Sequence, residues 1–230
     1  MYELFIANKN YSSWSLRPWV LMRELSIPFA ESLIPFGKVS GKPTIADVSP
    51  SGRVPCLRDG QLLVWDSLAI AEYLAERHAQ VWPSDVAARA WARSAAAEMH
   101  SGFFELRSRC PMNCGVRIRL GEASPSLAME LERLDALWQE GLARFGGPFL
   151  TGARFTAVDA FYAPVAFRVQ TYGLQLAPEA MSYVSRLLQL ASMQEWLAAA
   201  LQEPWRDEAH EAEARSAGML IEDRRVAVRG

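Results

Sequence analysis

A change of period about a third of the way along constrains this chain more than any other feature. Up to residue 80, short apolar runs of strand character alternate with helical ones. Beyond it, strand signals nearly vanish and apolar residues recur at helical spacing. Residues 2–7 (YELFIA) read as a strand, stopped by Asn8, Lys9 and Asn10. From about Ser15 to Leu25 the spacing turns helical, with Leu16 and Val20, joined by Trp19 and Leu21, on the buried side. Pro18 belongs in the first turn, where a missing N–H costs nothing, so this helix should begin just before it. PFAESLIPF reads as a second strand, Gly37–Asp47 as a loop, and RVPCLRDGQLLVW as two strands turning at Asp59-Gly60. DSLAIAEYLAERH reads as a capped amphipathic helix, with Leu68, Ala71 and Leu74 along one side.

After the connector HAQVWPSDVAAR, the stretches 87–109, 126–145, 156–172 and 178–201 are helical, broken by CPMNCG, GEASP, GGPFLTG and GLQLAP. The expected architecture is an α/β unit over 1–80, a linker at 81–86, an all-α unit over 87–201 and a charged tail over 202–230. The tail should be ordered only by packing on the body.

Composition excludes several classes of function. Half of the 230 residues are hydrophobic and the net charge is −2, a globular profile without the basic field that attracts nucleic acid or anionic lipid. No apolar run approaches the roughly 18 residues of a membrane span, and Asn8–Asn10 interrupt any leader-like stretch. The three cysteines form no Cys-x-x-Cys pair, which suits reduced thiols in a cytoplasm. Cys110 and Cys114 with scattered histidines make a poor metal set, so no metal is expected.

Three motifs carry the candidate chemistry. In NYSSWSLR, the serines Ser12, Ser13 and Ser15 precede a helix whose N-terminus exposes unpaired N–H groups and a partial positive charge. One serine suffices as a cap; the others are hydroxyls at an anion-attracting tip. In SGRVPCL, Pro55 opens a strand it cannot occupy mid-sheet. A cis Val54–Pro55 bond would turn the Val54 backbone outward, although trans is far commoner for such bonds. In WDSLAIAEYL, Asp66 and Ser67 cap a helix, and as a pair they also suit an amino-acid head group, carboxylate on Ser67 and ammonium on Asp66. Each motif taken singly reads as ordinary folding chemistry.

Taken in order, SSWSLR, RVPCL and DSLAIAEYL resemble the glutathione transferase superfamily, in its serine-type cytosolic classes such as zeta and tau, with a likeness to bacterial beta. The resemblance implies a thioredoxin-like N-terminal domain followed by an all-α C-terminal domain, matching the split above. It places the thiol-contacting serine on Ser12, counted back from Arg17, with Ser13 and Ser15 as alternatives within the glutathione site. Val54, on the cis side of Pro55, would pair with the cysteinyl backbone, while Asp66 and Ser67 hold the γ-glutamyl group. FTAVDAFYAP resembles the family's capping box, with Thr156 and Asp159 as folding residues.

The resemblance implies glutathione as co-substrate, no metal, a homodimer, and conjugation of a small electrophile in detoxification. A glutathione-dependent isomerase or dehalogenase, and a non-catalytic scaffold for a protein partner, are the alternatives. Lys38, Lys42 and Arg53 are candidate partners for the glycine carboxylate of glutathione. Arg17 is expected to brace the fold through a salt bridge. Tyr11, Trp14, His100, Phe103, Phe104 and Arg107 are the candidate electrophile pocket, its helical members at three-to-four spacing. Trp82 and Trp91 are expected to be open in a monomer and to help form the dimer seam.

Overall fold

The computed structural model of the chain describes residues 1–226 apart from Lys38 and Ala123. Lys38 therefore lies outside the described residues, as do residues 227–230 of the expected tail. Strand β1 (Tyr2–Ile6) carries Leu4, Phe5 and Ile6 into the core. It pairs in parallel with β2 (Phe29–Leu33) and antiparallel with β3 (Cys56–Asp59), and β4 (Leu62–Val64) closes the order β2-β1-β3-β4. The β3–β4 turn is the one the Asp59-Gly60 pair predicts, with Gly60 at φ +59, a left-handed position that glycine takes without strain. Helices α1 (Ser13–Glu24) and α3 (Ser67–Ala75) pack against the sheet and each other. The expected loop also holds a short helix α2 (Ile45–Val48), closed by a reciprocal Thr44–Asp47 capping box.

One expectation fails here. Helix α1 begins at Ser13, so Pro18 sits in its second turn and the Trp14 carbonyl has no N–H four residues on. The burial of Leu16, Trp19, Val20, Leu21 and Met22 offsets that lost bond, since an amphipathic face contributes more than one backbone hydrogen bond.

The second unit is helical: α4 (Val86–Ser101), α5 (Phe104–Arg109), α6 (Pro125–Phe145), α7 (Ala157–Tyr172), α8 (Pro178–Gln189) and α9 (Ala191–Gln202). The expected run 87–109 is broken at Gly102–Phe103, where Phe103 takes a left-handed φ of 54, and the run 178–201 is broken at Leu190. Helix α7 is buried on nearly every side. Its start is fixed as predicted: Asp159 accepts from the Thr156 backbone N–H at 2.9 Å. It also takes the Leu150 N–H at 3.0 Å and the Tyr183 hydroxyl at 2.9 Å. Helix α7 packs on α1 as well as on α4 and α8, so the two units share one continuous core.

Two strands escaped the sequence reading. Strand β5 (Val116–Leu120) pairs antiparallel with β6 (Gly218–Asp223), which follows α10 (Glu208–Ser216) in the tail. The tail is thus folded back on the body, with Arg224 N–H donating to Gly115 C=O at 2.9 Å and Val226 N–H to Leu201 C=O at 3.0 Å. Trp82 is buried and Trp91 half-buried, its indole donating to Glu140 at 2.8 Å, so neither tryptophan is an open seam residue. Among the described residues no helix is long and apolar enough to cross a membrane.

Candidate active site

The tip of α1 is where the candidate chemistry gathers. Ser12 occupies the N-cap position, yet its side chain makes no capping bond. Its hydroxyl donates instead to Ser15 Oγ at 2.7 Å, and Ser15 also accepts the Ala7 N–H at 3.2 Å. Ser15 is fully buried, a brace between the end of β1 and α1. The Ser13 hydroxyl accepts from Arg168 Nη2 at 3.3 Å, and among the described residues its own proton meets no acceptor. With no acidic side chain in the first turn, the helix N-terminus keeps its positive potential.

Ser12 and Ser13 open onto a cavity of about 490 Å³, within the range of small-molecule sites. Tyr11, Trp14, Arg53, Val54 and Arg107, all expected at the site, line it as well. The Val54–Pro55 bond is cis, as the resemblance implies, and Pro55 is buried behind the wall. The sequence reading missed Phe36, Met112 and Arg168, and the tail residues His210 and Glu213.

A second cluster stands beside the cavity. Asp66 caps α3, accepting from Leu68 N–H at 3.0 Å and Ala69 N–H at 3.5 Å. Its other carboxylate oxygen faces His100 Nε2 at 3.1 Å. The His100 ring packs edge-on against Trp14 with centroids 5.2 Å apart. Burial holds the His100 pKa below the usual imidazole value; Asp66 opposes that, and Arg17 and Arg107 add to it. Ser67 is buried, and among the described residues its hydroxyl at the tip of α3 meets no hydrogen-bond partner. Asp66, Ser67 and His100 do not line the cavity; His100 touches its wall through Trp14.

Three other expectations are not met by placement. Lys42 lies over the Trp205 ring, 5.8 Å from its centroid, outside the cavity wall. Phe103 is buried at the α4–α5 break, where its left-handed backbone turns the chain. Phe104 is 64% exposed and lies under the Arg107 guanidinium, so neither phenylalanine lines the cavity.

Arginines dominate the electrostatics. Arg17 is fully buried, and among the described residues it forms no ion pair; the expected salt bridge is replaced by stacking on Trp14 (4.1 Å) and Phe161 (5.0 Å). Burial, followed by repulsion from Arg107 and Arg168, brings its pKa down to about 9. Arg168 projects from the largely apolar and buried α7. It donates to the carbonyls of Cys110 and Arg107, and burial brings its pKa down to about 10. The thiols are free and buried, and burial pushes Cys110 up to about 11, which leaves it a poor nucleophile.

The tail closes one side. The Tyr11 hydroxyl donates to Glu211 at 2.6 Å, and Glu211 pairs with Arg225. The His210 ring stacks on Tyr11 (5.1 Å between centroids) and on Phe36 (4.6 Å). Glu203 accepts the Lys9 N–H at 2.6 Å, anchoring the start of the tail to the loop before α1.

This is a protein with a small βαβ-containing unit whose first helix tip, beside a cis proline, faces a mainly helical unit across a cavity of mixed polarity. The family model of the glutathione S-transferase N-terminal domain matches residues 11–77, and that of the C-terminal domain matches residues 121–212. The chain belongs to the glutathione S-transferase superfamily. Among curated relatives, it is 28% identical over 184 residues to glutathione S-transferase GstB of Escherichia coli, covering 74% of this chain and 85% of that protein. It is 23% identical over 181 residues to the glutathione S-transferase-like protein OpS6 of Beauveria bassiana, covering 70% of this chain and 76% of that one. A solved glutathione transferase homolog from Burkholderia, with bound glutathione, superposes with a TM-score of 0.63 at 22% identity, over 86% of this chain and 97% of that one. Glutathione transferase Omega 3C from Trametes versicolor superposes at 0.67 with 18% identity, over 94% of this chain and 91% of that one. Among the described residues no group of three or more His, Cys, Asp or Glu side chains is placed to hold a metal.

Proposed function

We propose that the protein is a glutathione transferase that holds the glutathione thiolate at the tip of α1 for attack on a small electrophile. The observation that carries this is the convergence of two hydroxyls, Ser12 and Ser13, a helix N-terminus and the Arg53–Val54 backbone on one cavity. A free thiol has a pKa near 8.5, so at neutral pH only a few per cent is nucleophilic thiolate. Lowering that pKa by one unit takes about 1.4 kcal/mol of preference for the anion, which one hydroxyl donor plus a helix tip supplies. A serine hydroxyl is far too weak a base to take the thiol proton and acts as a donor to the anion. Ser13 is the leading donor in this reading, because its proton is free while that of Ser12 is directed at Ser15.

Val54 pairs with the cysteinyl backbone of glutathione, Asp66 and Ser67 hold its γ-glutamyl end, and Arg53 meets its glycine carboxylate. The unpartnered Ser67 hydroxyl supports the γ-glutamyl assignment. The chain acts as a homodimer whose seam includes the exposed apolar residues Leu62, Leu63 and Trp65 beside Asp66. Calorimetry with glutathione, followed by turnover of a chlorodinitrobenzene, tests the reading. Heat of binding together with thiolate-dependent turnover is expected; a protein that neither binds glutathione nor conjugates it would be a scaffold. Gel filtration giving a monomer at micromolar concentration would refute the dimer.

A further inference from the structure

The helical side of the cavity carries two arginines with no carboxylate to neutralise them. Arg107 and Arg168 both line it, and among the described residues neither forms an ion pair. The Arg107 guanidinium donates only to the His100 carbonyl, at 3.1 Å, and otherwise lies over Trp14 and Phe104. Arg168 is 4% exposed, donates to two carbonyls and to Ser13 Oγ, and keeps its Nε without any partner. Arg17 stands behind them, also without a counter-ion, its Nε and Nη1 unpartnered. Among the described residues the nearby acids pair with neither arginine. Glu130 accepts the N–H groups of Glu105 and Leu106 at the start of α5; Asp66 faces His100; Glu213 lines the cavity with its side chain exposed to solvent.

Burying cationic groups without partners is expensive, and three guanidiniums crowded together repel one another. A fold that needed only packing here would take an apolar residue at the α7 position, as it does along most of that helix. Guanidinium forks match carboxylates in shape and donate paired, charge-assisted hydrogen bonds. We propose that this wall is a subsite for an anionic electrophile, a small molecule bearing a carboxylate a few bonds from its reactive carbon. The carboxylate docks on Arg107 and Arg168 and presents the reactive carbon to a sulfur held at Ser12 and Ser13. This subsite rests on the proposed glutathione reading. Trp14, between Arg17 and Arg107, supplies the apolar floor for the carbon skeleton.

The test compares a charged and a neutral version of one electrophile. With para-bromomethylbenzoate and its methyl ester, the thiolate sulfur attacks the benzylic carbon. A carbon–sulfur bond forms and bromide leaves with the electron pair of the broken carbon–bromine bond. The thiol proton has already passed to solvent. The acid is expected to have a kcat/KM at least about tenfold above that of the ester, corrected for the uncatalysed rates, and Arg107→Gln to bring that ratio toward one. Because Arg168→Gln risks the fold, Arg107→Gln is the reading variant, checked for an unchanged melting profile.

Binding separates the two levels of the argument. S-(para-carboxybenzyl)glutathione is expected to bind the wild-type protein at least about tenfold more tightly than S-benzylglutathione by calorimetry. If neither binds, the glutathione reading falls and the subsite falls with it. If both bind equally, the glutathione reading stands and the anionic subsite is overturned. If Arg107→Gln slows acid and ester by the same factor, the arginines act on the thiolate and not on the electrophile, which also overturns the subsite.

Discussion

Replacing each α1-tip serine by alanine ranks them by the fate of their protons. In the structure the Ser12 hydroxyl donates to Ser15 at 2.7 Å, whereas the Ser13 hydroxyl accepts from Arg168 at 3.3 Å and keeps its proton. A hydroxyl donating to an anion contributes about 1.5–3 kcal/mol, and one donating to a neutral group about 0.5–1.5 kcal/mol. For Ser13 the gain at a thiolate is therefore undiminished. Ser13→Ala should raise the pKa of bound glutathione by about 1–2 units. For Ser12, turning to the sulfur gives up the Ser15 bond, so the net gain is about 1 kcal/mol and Ser12→Ala should move the pKa by less than about one unit. The assay is the ultraviolet absorbance of the thiolate in the binary complex as a function of pH, with glutathione affinity measured beside it. A larger rise for Ser12→Ala than for Ser13→Ala would refute the reasoning, since the proton on Ser15 would then not be decisive. Unchanged pKa values in both variants would remove the serines from catalysis.

Further outcomes follow from the same geometry. Asp66→Ala removes two backbone acceptor contacts at the start of α3 and the His100 contact, so it should cost about 1 kcal/mol of stability and weaken glutathione binding; an unaltered Kd by calorimetry would separate the cap from the site. Burial pushes Asp159 up to about 6 from 3.8, so between about pH 4 and 6 the folded chain holds a proton that the unfolded chain has lost. Its contribution to stability therefore declines as pH rises through that window. Asp159→Asn should flatten that part of the melting temperature profile, and an identical profile would refute the assignment. Gly115→Ala would drive its Cβ into the Arg225 side chain, loosening Arg225 from Glu211 and Tyr11. Limited proteolysis should then cut the tail faster than in the wild type.

Much of the fold was legible because local chemistry and tertiary packing agree. The Asp59-Gly60 turn, the Asp66 cap and the Thr156–Asp159 box each announced an element boundary that the structure keeps. Boundaries without local chemistry were lost. The α8–α9 break at Leu190 has neither glycine nor proline, and Phe103 turns the chain inside a pattern that stays helical. Strand β5 alternates Val116, Ile118 and Leu120 with arginines, a readable period of two, but its partner lies about a hundred residues on, in a charged segment. The first half of the site was legible from the hydroxyls and the Val54–Pro55 pair. Arg168 was not singled out, although a cation in the middle of a mostly apolar helix was the available signal. His210 carried no signal, because its place follows from the folded-back tail.

That return of the tail makes the site a composite of widely separated parts of the chain. One wall holds Tyr11, the next Met112, and another His210, so three stretches about a hundred residues apart in sequence share one enclosure. Without α10 the cavity would lose His210 and Glu213 from its wall and stand open on that side, beside the serines. The pairing of β6 with β5 holds α10 there, so a strand with no residue in the cavity wall keeps that wall in place.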